Sequence, residues 1–203
     1  MALLDWIGHV HELRLEGDGV HLRPHRGSDF AEWQRLRSGS REFLKPWEPI
    51  WPIDDLTKAA WRRRLTAYAQ DMERGAAYPF LVFRRPDFAM VGGVTISNVR
   101  RGVAQMAQIG YWIGEPFARR GHTLAAVKAV TSFCFERLCL HRVEAACIPT
   151  NEASRGVLAK AGFRREGLAR AYLRINGIWR DHLLFGLISP APASEHRNED
   201  VLV

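Results

Sequence analysis

Two short stretches carry residue types that could do chemistry. In YWIGEPFARRGHTLAAV, Arg119, Arg120 and Gly121 stand between a β-type run and an apolar helical one. A strand leading through such a loop into a helix aims free backbone N–H groups and two guanidinium groups at one spot, which is an anion site. Gly121 would let the backbone approach a phosphate closely, and His122 at the helix start faces either that phosphate or solvent. Neither a GK[ST] ending nor a GxGxxG spacing is present, so this is not a Walker loop or a dinucleotide fingerprint. A solvated helix start with a turn glycine would use the same residues. In the second stretch, CIPTNEASRGVLAKAGF, Asn151 and Ser154 enter a short helix closed by Gly162. An amide and a hydroxyl at such a mouth can bind a polar ligand or donate a proton, and they can equally be caps. The two stretches occur in order, one strand apart, and this favours the ligand reading over two independent caps.

The elements that must position these residues alternate between strand and helix, an α/β or α+β pattern. His21 to Pro24 reads as a strand and RGSDFAEWQRLRS as a helix capped at Ser28 or Asp29. FLKPWEPIWP, with three prolines, is expected to be an ordered loop. DDLTKAAWRRRLTAYAQDMERG reads as a helix with two acids at its start and a stop at Gly75. Three strands follow, in YPFLVFRRPDFAMVGGVTISNV and AQIGYWI, and form a meander. The next helix carries Leu124, Val127, Thr131, Cys134 and Leu138 on one stripe. RVEAACIP is a strand, and AYLRINGIWRDHLLFGLI a hairpin turning at Asn176-Gly177.

A chain of 203 residues, 47% apolar and 25% charged, fits one globular domain, expected over residues 1–189 with a flexible tail at 190–203. A net charge of +7 is compatible with nucleic acid, but the arginines run from Arg14 to Arg197 without a basic arm, so sequence-specific nucleic-acid binding is not expected. Cys134, Cys139 and Cys147 lack CxxC spacing and read as buried free thiols of a cytoplasmic protein, with no metal site. No apolar run approaches the roughly 20 residues of a membrane span, and the N-terminus lacks the basic start of a signal peptide. Trp33, Trp47, Trp51 and Trp61 alternate with apolar and proline residues rather than with a basic platform, which suits packing over a groove better than base stacking.

The succession YWIGEPFARRGHTLAAVKAV and HRVEAACIPTNEASRGVLAKAGFRREG resembles the acetyl-CoA-binding core of the GNAT superfamily of N-acetyltransferases. FLKPWEPIWP, GGVTISNVRRG and EGLARAYLRINGIWRDH resemble, more narrowly, the ribosomal-protein-alanine N-acetyltransferases of the RimJ type, over about Leu13 to Ile188. The resemblance implies a mixed sheet that splays between the strand at Gln108 to Ile113 and the strand at Arg142 to Ile148, with acetyl-CoA in the split. Its pyrophosphate would lie on Arg119, Arg120, Gly121, His122, Thr123 and Leu124, Asn151 would meet the pantetheine, and Ser154 would protonate the departing thiolate. The backbone near Ile113 would hold the developing oxyanion. The acceptor implied is the N-terminal amine of a protein, possibly ribosomal, attacking directly without a covalent enzyme intermediate, on a monomer or homodimer.

Three departures stand out. Ala118 and Thr123 replace the outer residues usual in the family's phosphate loop, and Arg119 occupies a place where glycine is common. Relatives often carry an acid just before the Tyr-Leu of AYLRI, where this chain has Ala171. An α-amine with a pKa near 8 is partly neutral at working pH, so a weak base or a water chain suffices. Glu48 is the leading candidate for that base, with Glu115 and His182 behind it; a salt bridge for Glu48 and a packed ring for His182 are the plainer readings. A small amine or antibiotic as acceptor, or a catalytically weak acyl-CoA-binding or ribosome-associated module, are the alternatives.

Overall fold

The computed structural model describes residues 13–85 and 87–190. The tail expected beyond residue 190 lies outside the described residues. Eight strands form one sheet: β1 (Leu15–Gly17), β2 (Val20–Pro24), β3 (Tyr78–Arg84), β4 (Met90–Arg100), β5 (Met106–Ile113), β6 (Arg142–Cys147), β7 (Arg164–Ile175) and β8 (Ile178–Ile188), in the order β1-β2-β3-β4-β5-β6-β8-β7. Every neighbouring pair is antiparallel except β5 and β6. The helices are α1 (Phe30–Gly39), α2 (Arg41–Leu44), α3 (Lys58–Glu73), α4 (His122–Ser132) and α5 (Glu152–Lys160). None of the helices described is long and apolar enough to cross a membrane.

Both faces of the sheet are covered, which is why β3 and β4 are nearly continuous apolar runs. Phe80 and Val82 of β3 join Ala126, Val127 and Val130 of α4 and Leu158 of α5 in the larger core. Leu81 and Phe83 point the other way, to Trp33 of α1 and Trp61 of α3. His25 packs against Trp61 and Tyr68, at ring-centroid distances of 5.5 and 4.8 Å, and desolvation lowers its pKa to about 4. It is therefore an uncharged ring at neutral pH.

Several expectations needed adjustment. Asp29 is the N-cap residue of α1, as expected, but its side chain closes a 3-10 turn rather than capping that helix, accepting from Arg26 N at 2.7 Å and from Arg23 Nη1 and Nη2. Thr57, not the acids before it, caps α3, while Asp54 and Asp55 pair with Arg63 and Arg64. The helix after Gly121 passes at Phe133 into a π-helical turn running to Arg137. Cys134 and Cys147 are buried, but Cys139 is exposed, because the chain turns out after that π turn with Cys139 at φ +51°. The Asn176-Gly177 turn has both residues at positive φ, as a tight hairpin requires.

β5 and β6 pair only at Met106↔Arg142, Ala107↔Val143 and Gln108↔Glu144, although β5 continues to Ile113 and β6 to Cys147. Beyond Gln108 the sheet is split. β4 backs the split closely: a Cβ on Gly92 would lie 2.3 Å from the Trp112 carbonyl oxygen, and one on Gly93 2.6 Å from Trp112 Nε1. The clash at Gly92 is with backbone and cannot be relieved by a rotamer change. Gly92→Ala is expected to cost about 2–3 kcal/mol and to lower Tm by roughly 4–12 °C in a thermal melt; an unchanged Tm would show that β4 and β5 separate freely.

Candidate active site

The residues expected to hold phosphate are brought together at the start of α4. Gly121 is the N-cap residue at φ +84°, and a Cβ there would meet nothing, so the position is open and needs glycine for its backbone conformation. Arg119 is at φ +61°, also left-handed, which is the physical reason a glycine would suit that place. The first helical hydrogen bond is Ala125 N to Gly121 O, at 3.0 Å. The N–H groups of His122, Thr123 and Leu124 therefore lack backbone acceptors and face outward with the positive end of the helix dipole. Desolvation, then Arg84 and Arg120, lower the pKa of His122, so its ring is neutral near pH 7. Glu115, a candidate base, lies exposed in the turn between β5 and this loop, its N–H bonded to Ser40 Oγ at 2.9 Å.

The edge of β5 supplies a second set of unpaired groups. Gly114 N donates to Val91 O at 2.8 Å, so the Gly114–Val91 pair is a hydrogen-bonded one. Antiparallel alternation then turns the N–H and C=O groups of Ile113, Tyr111 and Ile109 away from β4 and into the split. Ile113, the expected oxyanion donor, has its N–H on this edge. Side chains alternate as well. Ile109, Tyr111 and Ile113 point to the α4 side and pack on the larger core.

On that side the Tyr111 hydroxyl lies 2.8 Å from Ser154 Oγ. Asn151 Oδ1 accepts from Ser154 N at 3.0 Å, capping α5 and holding Ser154 in its first turn. Asn151 is thus a cap, and its Nδ2 makes no hydrogen bond among the described residues. Burial raises the Tyr111 pKa well above the usual phenol range, so the hydroxyl keeps its proton. Burial also raises that of Cys147, with a smaller opposing effect from its hydrogen bond to Ser154. Cys134 is pushed up to about 12. These thiols are not poised as nucleophiles. Sequence reasoning missed Tyr111; its signal was a hydroxyl in a row of apolar residues on the buried face of β5, where it must find a partner.

The opposite face of the split carries Gln108, Gly110 and Trp112 of β5. The loop between α2 and α3 borders it, fastened by a cluster around Arg37. Arg37, only 8% exposed, donates to both carboxylate oxygens of Glu48 at 2.8 and 2.7 Å, and Trp51 Nε1 adds a third bond at 2.7 Å. The guanidinium also stacks on Trp51 and Trp112, at 4.2 and 4.8 Å. Glu48, the leading candidate base, is therefore engaged by three donors. Its backbone carbonyl accepts from Asn176 N at 2.9 Å, which ties the loop to the β7–β8 hairpin. Of the four tryptophans expected to wall a groove, Trp51 and the partly exposed Trp47 are in this loop, whereas Trp33 and Trp61 are buried behind it. His182 is 3% exposed on β8, its Nδ1 2.9 Å from the Arg180 carbonyl oxygen. Ala171 sits in a bulge of β7 at φ +45°, its N–H held by Asp181 Oδ1 at 2.8 Å.

A mixed sheet split after Gln108, an anion-ready helix start and a serine–tyrosine pair at the split define an acyl-CoA-type transferase architecture, and residues 20–164 match the acetyltransferase (GNAT) domain family. The chain belongs to the GNAT acetyltransferases and is an N-acetyltransferase. Among its relatives, the [ribosomal protein uS5]-alanine N-acetyltransferase of Escherichia coli K12 is 32% identical over 181 residues, covering 89% of this chain and 93% of the relative. The fold superimposes on Mycobacterium smegmatis RimJ in complex with CoA-disulfide at a TM-score of 0.81, with 35% identity over 92% of this chain and 89% of that one. The ribosomal-protein-S5-alanine acetyltransferase of Vibrio fischeri gives 0.82 and 31%, over 88% and 98%.

Proposed function

We propose that this enzyme acetylates the N-terminal α-amine of a protein, in the first instance a ribosomal protein, using acetyl-CoA held in the split. The observation that carries the reading is the Tyr111–Ser154 hydroxyl pair, bonded at 2.8 Å, beside the outward N–H groups of Ile109, Tyr111 and Ile113. The amide-rich pantetheine arm can pair with that strand edge, and the pyrophosphate with the N–H groups of His122 to Leu124 and with Arg119 and Arg120. The neutral amine attacks the thioester carbonyl, and an N–H of β5 steadies the oxyanion. As the C–S bond breaks, Ser154 gives its hydroxyl proton to the thiolate, and the Tyr111 hydroxyl, which keeps its proton, steadies the Ser154 oxygen by hydrogen bonding. Glu48 in this reading fixes the groove wall. The names of the relatives support the acceptor class. The free thiols and the ribosomal acceptor suit a cytoplasmic enzyme.

Mass spectrometry of cellular proteins with and without the enzyme tests the acceptor. N-termini heavier by one acetyl group are expected only in its presence; acetylation confined to small amines would overturn the reading. Replacing both Arg119 and Arg120 with alanine is expected to weaken acetyl-CoA binding about tenfold at low salt, with the gap narrowing as salt rises. Equal affinity at low salt, measured by calorimetry, would remove them from the phosphate site.

A further inference from the structure

We infer that His182 takes the proton from the attacking amine. The inference rests on the acetyl-transfer reading above and adds the base that reading lacks. β6 pairs β8 with Cys147 opposite Leu183, and extending the β5–β6 register three residues past Gln108↔Glu144 puts Tyr111 level with Cys147. His182 is one residue further along β8. It therefore stands at the height of the Tyr111–Ser154 pair, one strand removed from the split. Leu183 and Phe185 point into the larger core, so alternation sends His182 to the opposite face, where the acceptor must enter.

The ring is held for the task. A carbonyl oxygen can only accept, so the 2.9 Å contact with Arg180 O requires the proton on Nδ1, and the neutral form of the ring carries its lone pair on Nε2. Among the described residues Nε2 has no hydrogen-bond partner, and the residue as a whole is 3% exposed. Tyr172 meets the imidazole edge-on at a centroid distance of 5.7 Å. That tyrosine also lines a cleft of about 720 Å³ together with Asp71, Ser97, Asn98 and Gln108. Gln108 is the last paired residue before the split, so the cleft runs from the ring's neighbour to the start of the split.

The other candidates are occupied or elsewhere: Glu48 is bound by Arg37 and Trp51, and Glu115 lies toward the phosphate loop. The charged residues next to His182 are Arg180 and Asp181 on its own strand; Arg170 follows its β7 partner Ala169, and Glu144 on β6 pairs with Gly186, four residues along β8. Asp181 is bonded to Ala171 N, and Glu144 to Arg142 with a longer contact to Gln108. In the step, one proton of the bound ammonium passes to Nε2, directly or through one water; the neutral nitrogen then forms the N–C bond as the C–S bond breaks, and its second proton replaces the one that Ser154 gives to the thiolate.

His182→Asn tests this, because the asparagine amide can still donate to the Arg180 carbonyl while Nε2 is lost. At pH 7 kcat/KM for an N-terminal peptide should fall about tenfold, the factor by which an amine of pKa near 8 is protonated there, with acetyl-CoA affinity unchanged. The deficit should shrink to about threefold or less by about pH 9.5, where an α-amine of pKa near 8 arrives already neutral. A deficit of the same size at every pH, or none, overturns the assignment. Should the variant fail to fold, the wild-type enzyme decides with an N-terminal peptide of amine pKa near 8: a kcat/KM that holds level below about pH 8 is expected of an enzyme-held base, and a fall of about tenfold per pH unit from pH 8 downward, which the neutral amine alone would give, overturns the proposal. Absence of turnover by the wild type on any peptide would instead refute the acetyl-transfer reading itself.

Discussion

Ser154→Ala is expected to lower kcat about 100-fold while changing the Kd for acetyl-CoA by about twofold or less. The hydroxyl acts when the C–S bond breaks, so its loss belongs to the transition state and not to binding of the donor. The fold should be preserved, because the capping bond uses Ser154 N, which alanine retains, and Asn151 Oδ1 still accepts from it. Tyr111→Phe should give a smaller loss, about tenfold, since Ser154 keeps its own proton and loses only the hydrogen bond that steadies its oxygen. If the two hydroxyls act as one unit, the double variant should be little worse than Ser154→Ala alone. Steady-state kinetics of CoA release beside equilibrium binding of acetyl-CoA separates these outcomes. An unchanged kcat would exclude Ser154 from the chemistry, and a parallel loss of affinity would make it a binding residue.

What could be read from the residues was local. The alternation of β3 to β5, the Asn176-Gly177 turn and the Asn151 cap each depend on neighbours within a few positions, and the structure has them where propensity and turn chemistry put them. The phosphate loop was legible for the same reason, and the left-handed Arg119 explains why an arginine there looked out of place. Partnerships across the fold were not legible. Tyr111 and Ser154 are 43 residues apart and meet only because the crossover through α4 and β6 lays α5 over β5. Arg37 and Glu48 are in different elements, and nothing in either segment says that one neutralises the other. The role of the arginines changes accordingly. Arg23, Arg37, Arg64 and Arg142 are committed to internal carboxylates, so much of the basic composition is structural and is not offered to a polyanion.

Glu48→Ala is expected to be the most destabilising change at the groove. It leaves the Arg37 guanidinium, 8% exposed, without its counter-ion, and removes the acceptor of Trp51 Nε1. Breaking a buried pair in this way costs about 3–5 kcal/mol; Glu48 is itself 19% exposed, so about 2–3 kcal/mol is the better figure here, or roughly 4–12 °C in Tm. Glu48→Gln retains an oxygen for Arg37 and Trp51 and should lose about 1 kcal/mol. The kinetic signature distinguishes a wall residue from a base. As a wall residue Glu48 holds the loop against Asn176 of the hairpin, so Glu48→Gln should raise KM for the peptide more than it lowers kcat, equally at pH 7 and pH 9.5. As a base, its loss would leave Tm unchanged and depress kcat at pH 7, with recovery as the amine becomes neutral. Melting curves and two pH points on the same variant choose between these, and the pattern expected of His182→Asn is the reverse of the one expected here.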